Sequence, residues 1–421
     1  MSARARKAVP CDLLVHSASV AWTMSERPAG ALSGGRQGEV AGLPDAAVAC
    51  SAGRILEVGA SDDLRRRFAP RAEVDAAGRA VIPGLVDAHT HLVFAGHRAG
   101  EFEKRCLGAT YAEIAAAGGG IRSSVEAFRA ASDGDLLAAA RALRRSALLH
   151  GTTTIEVKSG YGLSLEQEVR ALEVARRLDD RGDVVPTFLG AHAVPPEFEG
   201  RAAAYAKVVS GEMIPEVARR GLARYCDVFC EKGYFDVALS RRVLEAARKS
   251  GLGLRIHADE LSSGGGAELA AELRCASADH LLEVSDAGIR ALARAGVVAV
   301  LLPATSFSLG MKRFAPARRM IDAGVPVALA TDCNPGSSHT ENLQQAIAIG
   351  CVGLGLSAAE ALVAATRNAA CSLGLEGEAG ALRPGLRADL VVLDVDDPRL
   401  LGCHHGVNHA AVVVHHGEVV S

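Results

Sequence analysis

Apolar runs alternate with amphipathic stretches through the middle of the chain, and this alternation predicts the architecture. Eight apolar runs end in polar residues between positions 81 and 332: VIPGLVDAHTHL, TTTIEVKS, VVPTFLGAH, YCDVFCE, LGLRIHA, CASADHL, VVAVLLPATS and PVALATD. Stretches with helical spacing separate them, for example DLLAAARALRRSALLH before Gly151 and LEQEVRALEVARRLDD after Ser164. Strands that alternate with helices in this number predict an α/β protein built around a (β/α)8 barrel. A doubly wound open sheet is the alternative, but no glycine-rich phosphate-binding turn follows any of these strands.

The two ends of the chain carry a different pattern. Short strand-like runs occupy residues 9–22, 46–58 and 72–82, and similar runs, ADLVVLDV and AAVVVHHGEVV, lie near the end of the chain. We expect these runs to form one small β-domain from residues 1–80 plus 372–421, beside a barrel domain at residues 81–371. The stretch AGALSGGRQGEVAG, residues 29–42, predicts a flexible glycine-rich loop.

Composition narrows the class of protein without changing this picture. The 421 residues are 49% hydrophobic and 23% charged, with a net charge of −3, which is typical of a soluble globular protein. The near-neutral charge and the single tryptophan argue against a nucleic-acid partner. No run reaches transmembrane length, and no signal-peptide core follows the basic opening MSARARKAVP, so no membrane association is expected. The ten cysteines include no C-x-x-C pair, which favours a reduced cytoplasmic location.

Polar residues lie where the predicted barrel strands end. Barrel enzymes carry their chemistry at the C-terminal ends of the strands, and seven of the eight runs end in an ionisable residue. The rim residues are His89, His91, Lys158, His192, Glu231, His257, His280, Thr305 and Asp332. Because alternate residues of a strand point to the same side, His89 and His91 project together. The pattern indicates a catalytic mouth at this rim.

The rim contains a full set of metal ligands. His89 and His91 alone would be half a site, and His257 and Asp332 add a third imidazole and a carboxylate. This ligand set suits zinc or another first-row divalent ion and does not select among them. Four protein ligands exceed the three typical of catalytic zinc, so a fifth position is needed for water. A structural zinc site is the alternative, and it is disfavoured because cytoplasmic structural zinc prefers cysteine.

Several segments resemble one enzyme family. PGLVDAHTHLVFAGHRAGEF, TTTIEVKSGYGL, HADEL, SADHL, LLPATSFSLG, LATDCNPGSS and LRPGLRADLVVLD closely resemble the imidazolonepropionase family of the amidohydrolase superfamily. The resemblance runs from about residue 80 to the end of the chain and is weaker over residues 1–45. It implies a distorted TIM-like (β/α)8 barrel, a small β-sandwich domain, one zinc or iron ion and a tendency to form homodimers. The implied reaction is hydrolysis of the ring amide of 4-imidazolone-5-propanoate to N-formimidoyl-L-glutamate, a step of histidine degradation.

The resemblance also implies catalytic roles at the rim. A bound metal would bring the pKa of a water molecule towards about 7, and Asp332, both a ligand and a base, would take the proton of that water. His280 would polarise the ring carbonyl or stabilise the oxyanion, and Glu260 would pass a proton to the leaving ring nitrogen. The structural alternatives are that His280 only packs and that Glu260 is a first-turn helix acid, worth under about 1 kcal/mol.

Other residues are implied as substrate contacts. Arg98 would hold the propionate through two parallel hydrogen bonds, which lysine cannot form. His192 would donate a hydrogen bond to the imidazolone ring. The other implied contacts are Tyr161, Glu260, Asn334, Gly336 and Ser337. The last three lie in a turn whose side chains and backbone N–H groups can bind the amino-acid-like end of the substrate or product. Lys158 is interpreted as a neighbouring charge rather than a metal-bridging carbamate, because the family implies one metal. The C-terminal histidines are interpreted as surface strand and turn residues: His404, His405, His409, His415 and His416.

Two other functions remain open from the residues alone. An aminohydrolase acting on a purine, cytosine or triazine ring would share the metal set, but a neutral base has no carboxylate for Arg98 to hold. A barrel that has lost its chemistry usually lacks at least one ligand, whereas the four metal positions and His280 are all filled here. We therefore expect a small-molecule hydrolase.

Overall fold

Strands and helices alternate along the part of the chain that the computed structural model describes. This part comprises residues 8–26, 29–109, 113, 118–179 and 181–420, so residues 1–7 of the basic opening lie outside the described residues. The strands are β1 Val9–Trp22, β2 Gly42–Ser51, β3 Arg54–Ala60, β4 Phe68–Asp75, β5 Val81–Pro83, β6 Leu85–Asp87, β7 Thr152–Lys158, β8 Val184–Ala191, β9 Tyr225–Cys230, β10 Gly253–Ala258, β11 Ser277–His280, β12 Val298–Leu301, β13 Val327–Leu329, β14 Leu390–Leu393, β15 Ala410–His415 and β16 Glu418–Val419.

Most of the helices fill the connections between the barrel strands. They are α1 Ser61–Arg67, α2 Ala99–Cys106, α3 Ile121–Ala130, α4 Asp133–Leu149, α5 Leu165–Arg176, α6 Ala202–Val208, α7 Ile214–Arg219, α8 Val237–Lys249, α9 Gly266–Glu272, α10 Asp286–Ala295, α11 Pro303–Ser308, α12 Ala317–Asp322, α13 Leu343–Gly353, α14 Ala358–Ala364 and α15 Arg367–Ser372. Within the described ranges, none of them combines the length and the apolarity that a membrane crossing requires.

Strands β6 to β13 pair in sequence order, in parallel, as the alternating pattern predicts. The barrel closes beyond the ends of its first and last strands, through a parallel bridge between Thr90 and Cys333. There the His91 N–H donates to the Cys333 carbonyl at 2.9 Å, and the Asp332 N–H donates to the His89 carbonyl at 3.0 Å. The predicted distorted barrel is thus confirmed, and its closure brings three candidate metal ligands together.

Local sequence signals set where the helices begin. The Ser132 hydroxyl accepts a hydrogen bond from the Asp135 N–H at the start of α4, and the Ser164 hydroxyl accepts one from the Gln167 N–H at the start of α5. Such caps satisfy backbone donors that the first turn of a helix leaves unpaired. Buried leucine and alanine residues then hold each helix against the barrel.

A separate mixed sheet is built from both ends of the chain. Its order is β16-β15-β14-β5-β1-β2-β3, and β4 pairs with β1. The strand predicted at residues 46–58 is a hairpin of β2 and β3, because Ala52 and Gly53 both have positive φ and turn the chain. Strand β5 pairs with β1 and β14, so the chain passes directly from this sheet into the barrel. The domain limits at residues 1–80 plus 372–421 and at 81–371 stay a prediction.

The glycine-rich stretch 29–42 packs against the barrel, so the prediction of a flexible loop was wrong. The side chain of Gln37 is fully buried, donates to the Val327 carbonyl at 2.8 Å and accepts from the Val327 N–H at 3.2 Å. Asn368 completes the contact, because its amide bonds both the N–H and the carbonyl of Leu32. Two buried amides therefore fix this segment at the start of β13.

Candidate active site and metal centre

A cavity of about 410 Å³ opens at the C-terminal rim of the barrel. The predicted site residues that line it are His91, Arg98, Tyr161, His192, His257, Glu260, His280, Asp332, Asn334 and Ser337. His89 lies beneath this surface with no solvent exposure, and Gly336 lies behind Arg98. The structure therefore gathers the residues predicted from distant parts of the sequence around one space.

Two groups of possible ligand atoms share His89. One is His89, His91 and Asp332, the other is His89, His257 and His280, and the atoms of each group lie within 4.8 Å of one another. The Asp332 Oδ1 atom is 3.5 Å from His89 Nε2 and 3.4 Å from His91 Nε2. The predicted ligand set is therefore brought together, and His280 lies at its edge.

The donor set fits a metal ion. Buried ring nitrogens of His89 (Nε2), His91 (Nδ1) and His257 (Nε2) have no hydrogen-bond partner among the described residues. Such orphaned polar atoms are costly unless a ligand satisfies them. Burial and Lys158 oppose protonation of His89, but the neighbouring Asp279 and Asp332 carboxylates outweigh them and raise its pKa to about 9. A bound cation would satisfy the orphaned nitrogens in place of that proton.

Two carboxylates that the sequence reasoning missed lie behind the histidines. Asp279 Oδ2 accepts from His89 Nδ1 at 2.6 Å, and Asp227 Oδ2 lies 3.0 Å from His257 Nδ1. A carboxylate behind a ligating imidazole fixes the orientation and the tautomer of the ring. Both aspartates are fully buried. The only signal in the sequence is that each interrupts an apolar strand, in YCDVFCE and in CASADHL.

Lys158 belongs to this buried network and not to the cavity wall. Its Nζ lies 2.7 Å from Glu156 Oε1, 2.8 Å from Asp227 Oδ2 and 3.7 Å from Asp279 Oδ2, and its side chain is not exposed. The Arg255 guanidinium contacts Asp279 at 3.4 Å. Lys158 is therefore a counter-charge to the carboxylates behind the histidines, which supports its interpretation as a neighbouring charge.

His280, Glu260 and Thr305 surround Asp332. His280 Nδ1 lies 3.5 Å from Glu260 Oε1, and Thr305 Oγ1 donates to Asp332 Oδ2 at 2.7 Å. Burial lowers the pKa of His280 well below its ordinary value, so its ring is neutral. Burial, and next the Asp332 charge, raise the pKa of Glu260 to about 8. The helix-terminus alternative for Glu260 was wrong, because α9 begins only at Gly266.

Backbone strain is concentrated at the same place. His280 and Asp332 have φ values of 74° and 55°, a region that side-chain-bearing residues rarely adopt. Strained backbone persists where the surrounding structure holds it, and it clusters at functional sites. The two positions thus combine backbone strain with burial of a polar side chain, a signal that the sequence does not reveal.

His192 and Tyr161 form another wall of the cavity. The His192 ring stacks on His91 with centroids 5.1 Å apart, and its Nδ1 donates to the Gly160 carbonyl at 3.0 Å. Burial lowers the pKa of His192 well below its ordinary value, so the ring is neutral. A neutral ring that donates from Nδ1 offers Nε2 as an acceptor. The geometry therefore favours acceptance of a hydrogen bond from a bound ring, rather than the donation that we expected.

The turn after β13 is held by its own side chain. Asn334 Oδ1 accepts from the N–H groups of Gly336 and Ser337, both at 2.8 Å. Those N–H groups are thus already engaged, and the side chains of Asn334 and Ser337 are what the turn presents to the cavity. Glu231, another rim residue, accepts from the Leu261 N–H at 2.9 Å and so anchors the loop that carries Glu260.

We expected all five C-terminal histidines to lie at the surface, and this was wrong for some of them. His404 and His405 are exposed, but His409 is buried and contacts Asp394 at 2.6 Å. His415 and His416 form a further group with Asp183. Asp183 is already paired with Arg144 at 2.6 Å, so this group is an ion-pair cluster between the barrel and the terminal sheet.

Comparison with known proteins gives high identity to one kind of enzyme. The chain matches the amidohydrolase family over residues 80–420. It is 54% identical over 374 residues to the imidazolonepropionase of Geobacillus kaustophilus, covering 87% of this chain and 88% of that protein. It is 48% identical over 422 residues to the imidazolonepropionase of Chloroflexus aggregans, covering 98% of this chain and 99% of that protein.

Solved structures share the fold at low sequence identity. A triazine hydrolase from Arthrobacter aurescens has a TM-score of 0.73 and 21% identity, covering 97% of this chain and 94% of that chain. An adenosine deaminase from Xanthomonas campestris with bound zinc has a TM-score of 0.68 and 21% identity, covering 98% and 93%. These likenesses confirm the barrel fold, and at this identity they do not favour the deaminase alternative.

The chain is about one half identical to imidazolonepropionases over most of its length, which favours the imidazolonepropionase hypothesis over the aminohydrolase hypothesis. The amidohydrolase barrel alone would admit both of them, since the deaminase and the triazine hydrolase share it. The family match and the buried donor set support a metal cofactor. The chain belongs to the imidazolonepropionases, within the amidohydrolase family.

Proposed function

We propose that this enzyme hydrolyses the ring amide of 4-imidazolone-5-propanoate to N-formimidoyl-L-glutamate, with one zinc or iron ion as its cofactor. The observation that carries the proposal is a single cavity that combines metal donors with the guanidinium of Arg98. A substrate with both a hydrolysable ring amide and a carboxylate uses both features. A neutral purine or triazine ring has no carboxylate for Arg98 to bind.

His89, His91, His257 and Asp332 would hold the ion. When bound, it supplies a hydroxide equivalent at neutral pH by lowering the pKa of water towards about 7. Imidazole nitrogens and a carboxylate suit both zinc and iron. Asp279 and Asp227 face Nδ1 of His89 and His257 and so leave Nε2 of each ring to bind the ion.

Residues of the chain accept and donate the protons of the reaction. Asp332 accepts the proton of the attacking water, and its other oxygen stays fixed by Thr305. The neutral His280 ring polarises the scissile carbonyl and stabilises the oxyanion. Glu260, 3.5 Å from His280 and on the cavity wall, delivers a proton to the leaving ring nitrogen.

Substrate binding uses the remaining walls of the cavity. Arg98 grips the propionate through two parallel hydrogen bonds. Tyr161 and His192 contact the imidazolone ring, with His192 as an acceptor through Nε2. The side chains of Asn334 and Ser337 bind the amino-acid-like end of the molecule.

A spectrophotometric assay with metal-analysed protein tests this function. We expect metal-dependent loss of the imidazolone absorbance, which Asp332→Ala abolishes because it removes a ligand and a base. Arg98→Met should raise KM about 10- to 100-fold, the worth of hydrogen bonds to a charged group. Arg290→Met, an exposed arginine of α10, is the control and should change neither constant. No turnover by fully metallated protein would refute the substrate assignment.

We further propose a cytoplasmic location, supported by the ten cysteines, all of which are unpaired. The homodimer that the family resemblance implies stays a prediction. Light scattering of the purified protein would test it, and a monomer at micromolar concentration would refute it.

A further inference from the structure

The guanidinium of Arg98 lies directly across the backbone of Gly336. The guanidinium occupies the place that a Cβ atom at position 336 would take, and the three nearest atoms to that place are its Nη2, Cζ and Nε. No side chain therefore fits at position 336 while Arg98 keeps its place. The φ angle of Gly336 is not positive, so its backbone conformation does not itself demand glycine.

The surroundings fix Gly336 from both sides. Its N–H donates to Asn334 Oδ1 at 2.8 Å, and its carbonyl accepts from Arg105 Nη2 at 3.3 Å. The neighbouring Pro335 carbonyl accepts from the Arg98 N–H at 3.2 Å. The loop after β6 and the turn after β13 are therefore bonded to each other at this point. Since the N–H and the carbonyl of Gly336 are both hydrogen-bonded, its Cα is the group left to make a further contact, and Arg98 covers it.

The Arg98 guanidinium keeps donor capacity for a ligand. Its side chain is 13% exposed on the cavity wall, and its Nε is buried without a hydrogen-bond partner among the described residues. Glu101 Oε2 lies 3.7 Å from Nε, close enough for an ion pair but not for a hydrogen bond. A guanidinium that lines a cavity and whose donors are not all engaged fits a carboxylate ligand.

We propose that Gly336 is a positioning residue for carboxylate recognition. The missing side chain lets Arg98 lie across the turn with its guanidinium on the cavity wall, and so sets the affinity for the carboxylate end of the substrate. Gly336 thus acts through Arg98 and not through its own N–H group. This role rests on the proposed function for the identity of the carboxylate, but not for the placement of Arg98.

Alanine at position 336 should displace Arg98 and leave the fold intact. The atoms that a new Cβ meets belong to the end of a flexible side chain, so Arg98 can swing away while the turn keeps its bonds. We expect Gly336→Ala to raise KM about 10- to 100-fold with little change in kcat, since the lost hydrogen bonds hold a group remote from the scissile bond. The melting temperature should stay that of the wild type.

The decisive measurement combines this variant with Arg98→Ala. If Gly336 acts through Arg98, Gly336→Ala raises KM in the wild type and has no further effect in the Arg98→Ala background. The matched control is Gly100→Ala, at an exposed α2 position where an added Cβ meets nothing within 4 Å, and KM should not change. An equal rise in KM in both backgrounds would overturn the proposal.

A crystal structure of the Gly336→Ala variant separates this inference from the proposed function. We expect the Arg98 guanidinium to have left the turn while the backbone of residues 334–338 is unchanged. An unmoved Arg98 with a shifted backbone would overturn the positioning role. Absence of wild-type turnover would refute the substrate assignment alone, because the position of Arg98 in the variant is read without any substrate.

Discussion

At the scale of single residues, the carboxylates behind the metal ligands are the most informative test of the site. Asp279→Asn and Asp227→Asn keep the shape of each side chain and remove the charge that faces His89 or His257. We expect each variant to lower metal affinity about 10- to 100-fold, the usual cost of losing a partner behind a ligand. Competition with a chelator would measure this affinity directly.

The control for these variants is Asp62→Asn, at an exposed carboxylate on α1 of the terminal sheet region. It should leave metal affinity unchanged. If the Asp279→Asn variant bound the metal as tightly as the wild type, packing alone would hold the histidines. The charge network of Lys158 and Arg255 would then have no part in metal binding.

Residues at strand ends could be predicted, and residues inside strands could not. The H-x-H pair and the polar strand ends point to the rim because period-two alternation and barrel topology are legible in a sequence. Asp227 and Asp279 look like isolated interruptions of apolar runs, since only the closed barrel shows that they face the histidines. The engagement of the Gly336 N–H by Asn334 is likewise a matter of turn geometry.

At the scale of elements, the segment 29–42 shows where composition misleads. Glycine content predicted a mobile loop, but Gln37 and Asn368 supply the hydrogen bonds that a strand would supply. A buried amide can pair with both backbone groups of one residue, and Gln37 does so with Val327. The eight barrel strands were predictable because each is a separate apolar run, whereas side-chain bonds to distant backbone leave no periodic pattern.

Gln37→Ala should destabilise the protein by about 2 kcal/mol without changing kcat or KM. The variant removes the acceptor of the buried Val327 N–H, while the Val327 carbonyl keeps its bond from Asn368 Nδ2 at 2.8 Å, and an unsatisfied buried group costs about 1–3 kcal/mol. Activity should survive because Val327 begins β13, whereas the cavity lies beyond the other end of that strand. Urea unfolding and the absorbance assay measure the two effects.

Gln345→Ala removes an exposed glutamine from α13 and serves as the matched control. Its free energy of unfolding should stay within about 0.5 kcal/mol of the wild type. If Gln37→Ala were equally mild, the segment would be held by Leu32 and Asn368 and not by the Gln37 amide.

At the scale of the whole molecule, charged pairs tie the terminal sheet to the barrel. Asp183, just before β8, contacts Arg144 of α4 at 2.6 Å and His415 of β15 at 2.9 Å. Arg181 contacts Glu418 of β16 at 2.9 Å. These partners come from distant parts of the chain, so the residue pattern predicted two regions and gave no sign of what joins them.

Asp183→Asn should lower the free energy of unfolding more than removal of an exposed ion pair does. The Asp183 side chain is only 7% exposed, and breaking a buried ion pair costs about 3–5 kcal/mol because the other charge is left unpaired. The exposed pair provides the control: Glu418 is 65% exposed, so Glu418→Gln should cost under about 1 kcal/mol. Denaturant unfolding at pH 7 compares the two variants.

The dependence of this loss on pH identifies its cause. Burial alone would raise the pKa of Asp183, but His415 and the Arg144 guanidinium outweigh it and hold the pKa well below the usual value. A lowered folded-state pKa gives stability that is complete above the unfolded-state pKa of about 4 and is lost as the pH falls below it. The difference between wild type and Asp183→Asn should therefore persist down to about pH 5 and shrink below about pH 4. A difference that does not change with pH would mean that asparagine disturbs packing at the junction and that the ion pair itself contributes little.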